Sequence, residues 1–100
     1  MKLFFQQYGS GEPLLIFHGL LGSLDNWHTL SKKFATSFRV LAVDLRNHGR
    51  SPHSDSLSYE TMAEDVLELM DTQHLRSSHV LGHSMGGKVA MTLALANPTR

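Results

Sequence analysis

The sequence predicts an α/β fold, a mostly parallel sheet with helices on both faces, and three observations predict it. Short continuous apolar runs, Leu14-Leu15-Ile16-Phe17 and Phe38 to Val43, have the composition of strands buried on both sides. Segments with helical apolar spacing follow them, as in Trp27, Leu30 and Phe34. Strand and helix alternate along the whole chain, the order that parallel strands joined by crossover helices require.

Taken in order, Leu3 to Tyr8 reads as a strand, and Gly9-Ser10-Gly11 turns the chain into the strand at Leu14–Phe17. A glycine-rich loop follows, His18-Gly19-Leu20-Leu21-Gly22-Ser23, then a helix from about Asn26 to Ala35 and the strand Phe38 to Val43, which ends at Asp44. Leu45 to Ser58 holds Gly49, Pro52 and several serines and histidines and is read as a loop, with Ser58 as N-cap of the next helix. That helix presents Tyr59, Met62, Ala63, Val66, Leu67 and Met70 on one face. His79 to Leu81 is the last strand, and the helix that begins at Met85 stops near Asn97-Pro98.

Composition narrows the function classes. One hundred residues, 41% of them hydrophobic, suffice for one soluble domain that buries about two thirds of its unfolded surface. Nine basic and nine acidic residues cancel, and no run of like charge exceeds two, so neither a nucleic acid nor a membrane surface is the expected partner. A small molecule is. The absence of cysteine removes disulfides, thiolate metal sites and a thiol nucleophile together. No H-E-x-x-H or similar ligand spacing occurs among the seven histidines, so no metal is expected. Met1 to Phe5 begins like a signal peptide, but Gln6-Gln7 cuts the apolar run short, and a cytoplasmic location is expected.

The chemistry concentrates in Gly82-His83-Ser84-Met85-Gly86, which follows a strand and opens a helix. In a G-x-S-x-G elbow the serine occupies a strained turn that lifts its hydroxyl off the sheet, and glycines two residues to either side leave room for it. Ser84 is therefore the candidate nucleophile, with Gly82 and Gly86 shaping the turn. The Met85 N–H, at the start of a helix, lacks an intrahelical partner and is positioned to stabilise an oxyanion. The bland alternative is an ordinary glycine-rich connection between strand and helix; the flanking strand, turn and helix, in that order, favour the elbow.

Together with the H-G-L-x-G-S stretch at His18 to Ser23 and R-N-H-G-x-S at Arg46 to Ser51, this elbow resembles the α/β-hydrolase superfamily over essentially the whole chain, and within it the YbfF-type esterases. The resemblance implies a cofactor-free hydrolase of small carboxylic esters or thioesters acting through an acyl-enzyme on Ser84. It implies that Leu20 supplies the second oxyanion N–H beside Met85, with His18, Gly19 and His83 shaping the site. It also implies a triad in the order Ser, acid, His, whose last two members are expected beyond Arg100, so that residues 1–100 are expected to be the amino-terminal part of one domain and inactive alone. Haloperoxidase, carbon-carbon hydrolase and lyase chemistries share parts of these motifs, and a non-catalytic or complementation-dependent piece is the alternative of a different class.

The remaining polar residues are expected to be structural. His18 orders the glycine loop, His83 projects away from the serine hydroxyl, and His48 and His53 are solvated loop residues. Asp44, well placed at a strand end, precedes the serine and so has the wrong order for a triad acid; it and Arg46 are expected to brace their loop through charge-assisted bonds to backbone and to each other. Lys88 reads as a surface cation, and Trp27, Met62 and Met70 as core. Leu20, Leu21 and Met85 are the expected acyl-chain contacts. Oligomeric state is not legible.

Overall fold

A computed structural model describes residues 1–19, 22–53 and 58–96. Four strands form one sheet, β1 (Phe5–Tyr8), β2 (Glu12–Phe17), β3 (Phe38–Val43) and β4 (His79–Gly82), in the order β1-β3-β2-β4. β2 pairs in parallel with both β3 and β4, whereas β1 runs antiparallel along β3. The sheet is thus mostly parallel, as its apolar runs predict. Its antiparallel edge lies where Gln6 and Gln7 interrupt the apolar pattern of β1.

The helices are α1 (His28–Phe34), α2 (Tyr59–Thr72) and α3 (Met85–Ala96). Alternation along β2 and β3 divides the core in two. Leu15, Phe17, Leu41 and Val43 face Met62, Val66 and Met70 of α2 and Val89 and Leu93 of α3. Leu14, Ile16 and Val40 point to the other face, where Trp27, Phe34 and Ala35 cover them. Leu15, Phe17, Leu41 and Val43 are fully excluded from solvent, and each such side chain contributes about 1.5–3 kcal/mol relative to exposure.

Local signals set the helix starts. Ser58 caps α2 in a reciprocal box, its Oγ accepting from Thr61 N–H at 3.1 Å while Thr61 Oγ1 accepts from Ser58 N–H at 3.0 Å. The first turn of the helix expected from Asn26 is instead a 3-10 turn, Leu24–Trp27, because Ser23 and Asn26 cap each other's backbone one step earlier. The expected helix stop at Asn97-Pro98 and part of the loop between Leu45 and Ser58 lie outside the described residues.

In this register Phe17 is paired with Val43 on one side and Gly82 on the other. The three parallel strands therefore end level, and the segments that begin at His18, Asp44 and His83 leave the sheet side by side. This is the crevice at the carboxyl ends of the strands where sheets of this kind bind ligands.

Candidate active site

The elbow has the strained conformation its sequence calls for. Ser84 has φ of 55°, in the left-handed region that side chains disfavour. The glycines on either side are there because backbone passes too close for a side chain. A Cβ on Gly82 would stand 2.4 Å from the Gly86 carbonyl oxygen, and one on Gly86 would stand 2.4 Å from the oxygen of Phe17 and 2.6 Å from that of His18. Gly86 thus seats α3 directly on the end of β2. Gly86 N–H is bonded to His83 O at 3.0 Å and Lys88 N–H to Ser84 O at 3.2 Å. Met85 opens α3, so its own N–H stands ahead of the intrahelical ladder. Ser84 remains exposed to solvent while Met85 is buried.

The glycine loop after β2 meets the elbow. A Cβ on Gly19 would lie 3.0 Å from His83 Nδ1 and 3.6 Å from Ser84 Cβ, so the two motifs touch. Leu20 and Leu21 lie outside the described residues. His18 holds this loop from below. Its Nε2 accepts the Leu45 N–H at 3.0 Å, which leaves the proton on Nδ1, and Nδ1 donates to Gly19 O at 2.7 Å. The Gly22 N–H donates to the same Gly19 oxygen at 3.0 Å. Burial pushes the His18 imidazole below its usual 6.5, helped by the neighbouring His48 and opposed by the Gly19 carbonyl. Both nitrogens are engaged and the ring is fully buried, so His18 holds the loop in place.

The loop after β3 is organised by buried charge. Asp44 is almost fully buried, accepts the Arg50 N–H at 2.9 Å, and sends its carbonyl oxygen to the Ser51 hydroxyl. Gly49, with φ of 51°, lets the backbone wrap against that carboxylate. Arg46 reaches α2, donating from Nε to Asp65 at 2.6 Å and from Nη2 at 2.9 Å. This two-pronged bond raises the already high pKa of the guanidinium. Asp44 bonds to the loop backbone as expected, whereas Arg46, expected to bond to backbone and to Asp44, gives its two-pronged bond to Asp65 of α2; the signal for that partner is an acid set among Met62, Val66 and Leu69 on an apolar helix face. His48 corrects the expectation of a solvated residue: it is buried, bonded through Nδ1 to Arg46 O at 2.9 Å, with its ring 4.9 Å from that of His18. His53 is exposed as expected.

Ser84 stands between two open clefts. One, of about 370 Å³, is bounded by Gly19, Gly22, Asn26, Trp27 and His83. Trp27 packs on the core, yet it also forms a wall of this cleft, its ring 6.0 Å from that of His83. The other cleft, of about 530 Å³, runs between α2 and α3, with Met62 and Met85 at its floor and Tyr59 and Lys88 on its walls. Among the described residues no cluster of three or more histidines and acids is arranged to hold a metal ion, and no helix is long and apolar enough to cross a membrane.

The chain is similar to known proteins. The sn-1-specific diacylglycerol lipase ABHD11 of Danio rerio is 47% identical over 96 residues, covering 94% of this chain and 30% of that protein. Esterase YbfF of Escherichia coli is 40% identical over 93 residues, covering 92% of the chain and 37% of that protein, which bears out the resemblance drawn from the motifs. The chain therefore spans about a third of the length of these curated relatives. Among solved structures, a marine microorganism esterase superposes with a TM-score of 0.97 at 52% identity, covering 98% of the chain and 38% of that structure. The family model described as alpha/beta hydrolase fold matches residues 12–100, and with the level strand ends, the strained serine and its two crowded glycines, the chain belongs to the alpha/beta hydrolase family.

Proposed function

We propose that this chain carries the nucleophile and the oxyanion donors of a serine hydrolase that cleaves small carboxylic esters or acyl thioesters through an acyl-enzyme on Ser84. The observation that carries the reading is Ser84 itself: φ of 55°, an exposed side chain, and flanking glycines that no other residue could replace without moving backbone. Strain of this kind is kept where it serves chemistry. Esterases and lipases among the relatives support the substrate class.

In this mechanism the Ser84 Oγ attacks the acyl carbonyl, its proton passing to a general base, and the carbonyl electrons move onto oxygen. The Met85 N–H, with that of Leu20, receives the oxyanion. Collapse expels the alcohol or thiol, which takes up the proton, and water then cleaves the acyl-enzyme by the same route. No cofactor is required. The chain's own histidines near the serine are otherwise engaged, His18 and His48 in the bonds described and His83 against Trp27. We assign the base and its orienting acid to sequence that follows this stretch, in the order Ser, acid, His. The two clefts give acyl and leaving groups separate places on either side of Ser84, each within the usual size range of small-molecule sites.

The test is a panel of short-chain p-nitrophenyl esters and acyl thioesters given to the protein at its natural length, with rapid acid quenching and mass analysis. An acyl adduct on Ser84, lost together with turnover in Ser84→Ala, supports the proposal. Turnover that survives Ser84→Ala overturns it.

A further inference from the structure

We propose that Lys88 is a specificity-determining residue, selecting esters or thioesters that carry a carboxylate or phosphate group close to the scissile bond. This rests on the reading of Ser84 as nucleophile. Lys88 lies one turn into α3 from Ser84, its N–H bonded to Ser84 O at 3.2 Å, which places the two residues about 6 Å apart along the helix axis. Side chains on a helix lean toward its N-terminus, so the Lys88 stem runs back toward the serine. The ammonium lies over the Tyr59 ring, 5.8 Å from its centroid, and Lys88 and Ser84 border the same cleft of about 530 Å³.

Lys88 is exposed to solvent, and its contact with the ring leaves the ammonium's hydrogen bonds unused, since the ring meets it only through its π face. Among the described residues no carboxylate comes within the 4.0 Å of an ion pair with it. An ammonium has three donors and no acceptor, so an anion or strong acceptor on a substrate held in this cleft can take the place of the water its exposed N–H groups meet. The floor below, Met62 and Met85, is apolar and suits the hydrocarbon part of the same substrate. Glu60 on the rim opposes an incoming anion, which limits the preference to about tenfold, the low end for a hydrogen bond to a charged group.

The experiment uses the protein at its natural length and two matched substrate series. In one, p-nitrophenyl esters of equal chain length end in methyl or in carboxylate, placing the charge on the acyl side. In the other, acetyl esters of alcohols with and without a phosphate place it on the leaving group. The expected result is an anionic-to-neutral ratio of kcat/KM, in one series, that drops about tenfold in Lys88→Met through KM, is restored in Lys88→Arg, and declines in the wild type as salt is added. A ratio unmoved by Lys88→Met in both series overturns the proposal, as does an equal loss on neutral and anionic substrates, the mark of a mere brace between α2 and α3. Fluorophosphonate labelling of the wild type separates the two readings. Labelling at Ser84 with an unmoved ratio refutes the role of Lys88 alone, and absence of labelling refutes both.

Discussion

Replacing Gly86 by alanine tests whether the elbow's geometry, and not merely its serine, sets reactivity. The added Cβ would stand 2.4 Å from Phe17 O and 2.6 Å from His18 O, against 3.4 Å for ordinary van der Waals contact. Both obstacles are main chain at the end of a central strand, so neither can rotate away. Relief requires α3 or the end of β2 to move by about 1 Å, and a displacement of that size at a reacting centre costs on the order of 100-fold in rate. The neighbouring Gly87 is the internal control, because a Cβ there meets nothing closer than 3.4 Å and alanine favours a helix by up to about 1 kcal/mol. The assay is the second-order rate of serine labelling by a fluorophosphonate, with melting temperature measured in parallel. Gly86→Ala is expected to label about 100-fold more slowly, while Gly87→Ala labels at the wild-type rate and melts no lower. Equal labelling of Gly86→Ala and wild type would refute the reasoning.

Other consequences follow from the buried polar groups. Asp65→Asn removes the carboxylate that accepts both prongs of the Arg46 guanidinium and is expected to cost about 2 kcal/mol in urea unfolding; the double variant Arg46→Met with Asp65→Leu should be markedly more stable than the single one, and a double variant no better contradicts the pairing. His18 is held neutral by burial, so its folded pKa lies below the 6.5 of the unfolded chain. Its contribution to stability is therefore full above that value and is lost as pH falls through the depressed folded pKa. NMR titration should show the His18 ring still neutral at pH 6.5, the usual imidazole midpoint; half-protonation of the ring at that pH would be inconsistent with the buried loop anchor.

The elbow was legible because its requirements are local. A strand, a glycine two residues to either side of a serine and an apolar helix can be read without knowing what lies across the sheet, and the same holds for the Ser58 cap. Pairing was less legible. β1 and β2 are adjacent in sequence and joined by Gly9-Ser10-Gly11, yet β3 inserts between them, a choice made by the face each strand buries and not by the turn. The Arg46–Asp65 pair spans 19 positions and joins a loop to a helix, so the apolar setting of Asp65 announces a partner without saying which one. His48 differs from expectation for a related reason: a histidine in a serine-rich loop looks solvated until the loop folds over His18. Trp27 showed helical spacing consistent with core, and only the tertiary position of the 3-10 turn reveals its second role as a cleft wall.

The central claim, that Ser84 is an activated nucleophile, is tested most directly by the intact mass of the natural-length protein before and after exposure to a fluorophosphonate. A single adduct that maps to Ser84 and disappears in Ser84→Ala is the expected result. No adduct, or one that persists in Ser84→Ala, would contradict it.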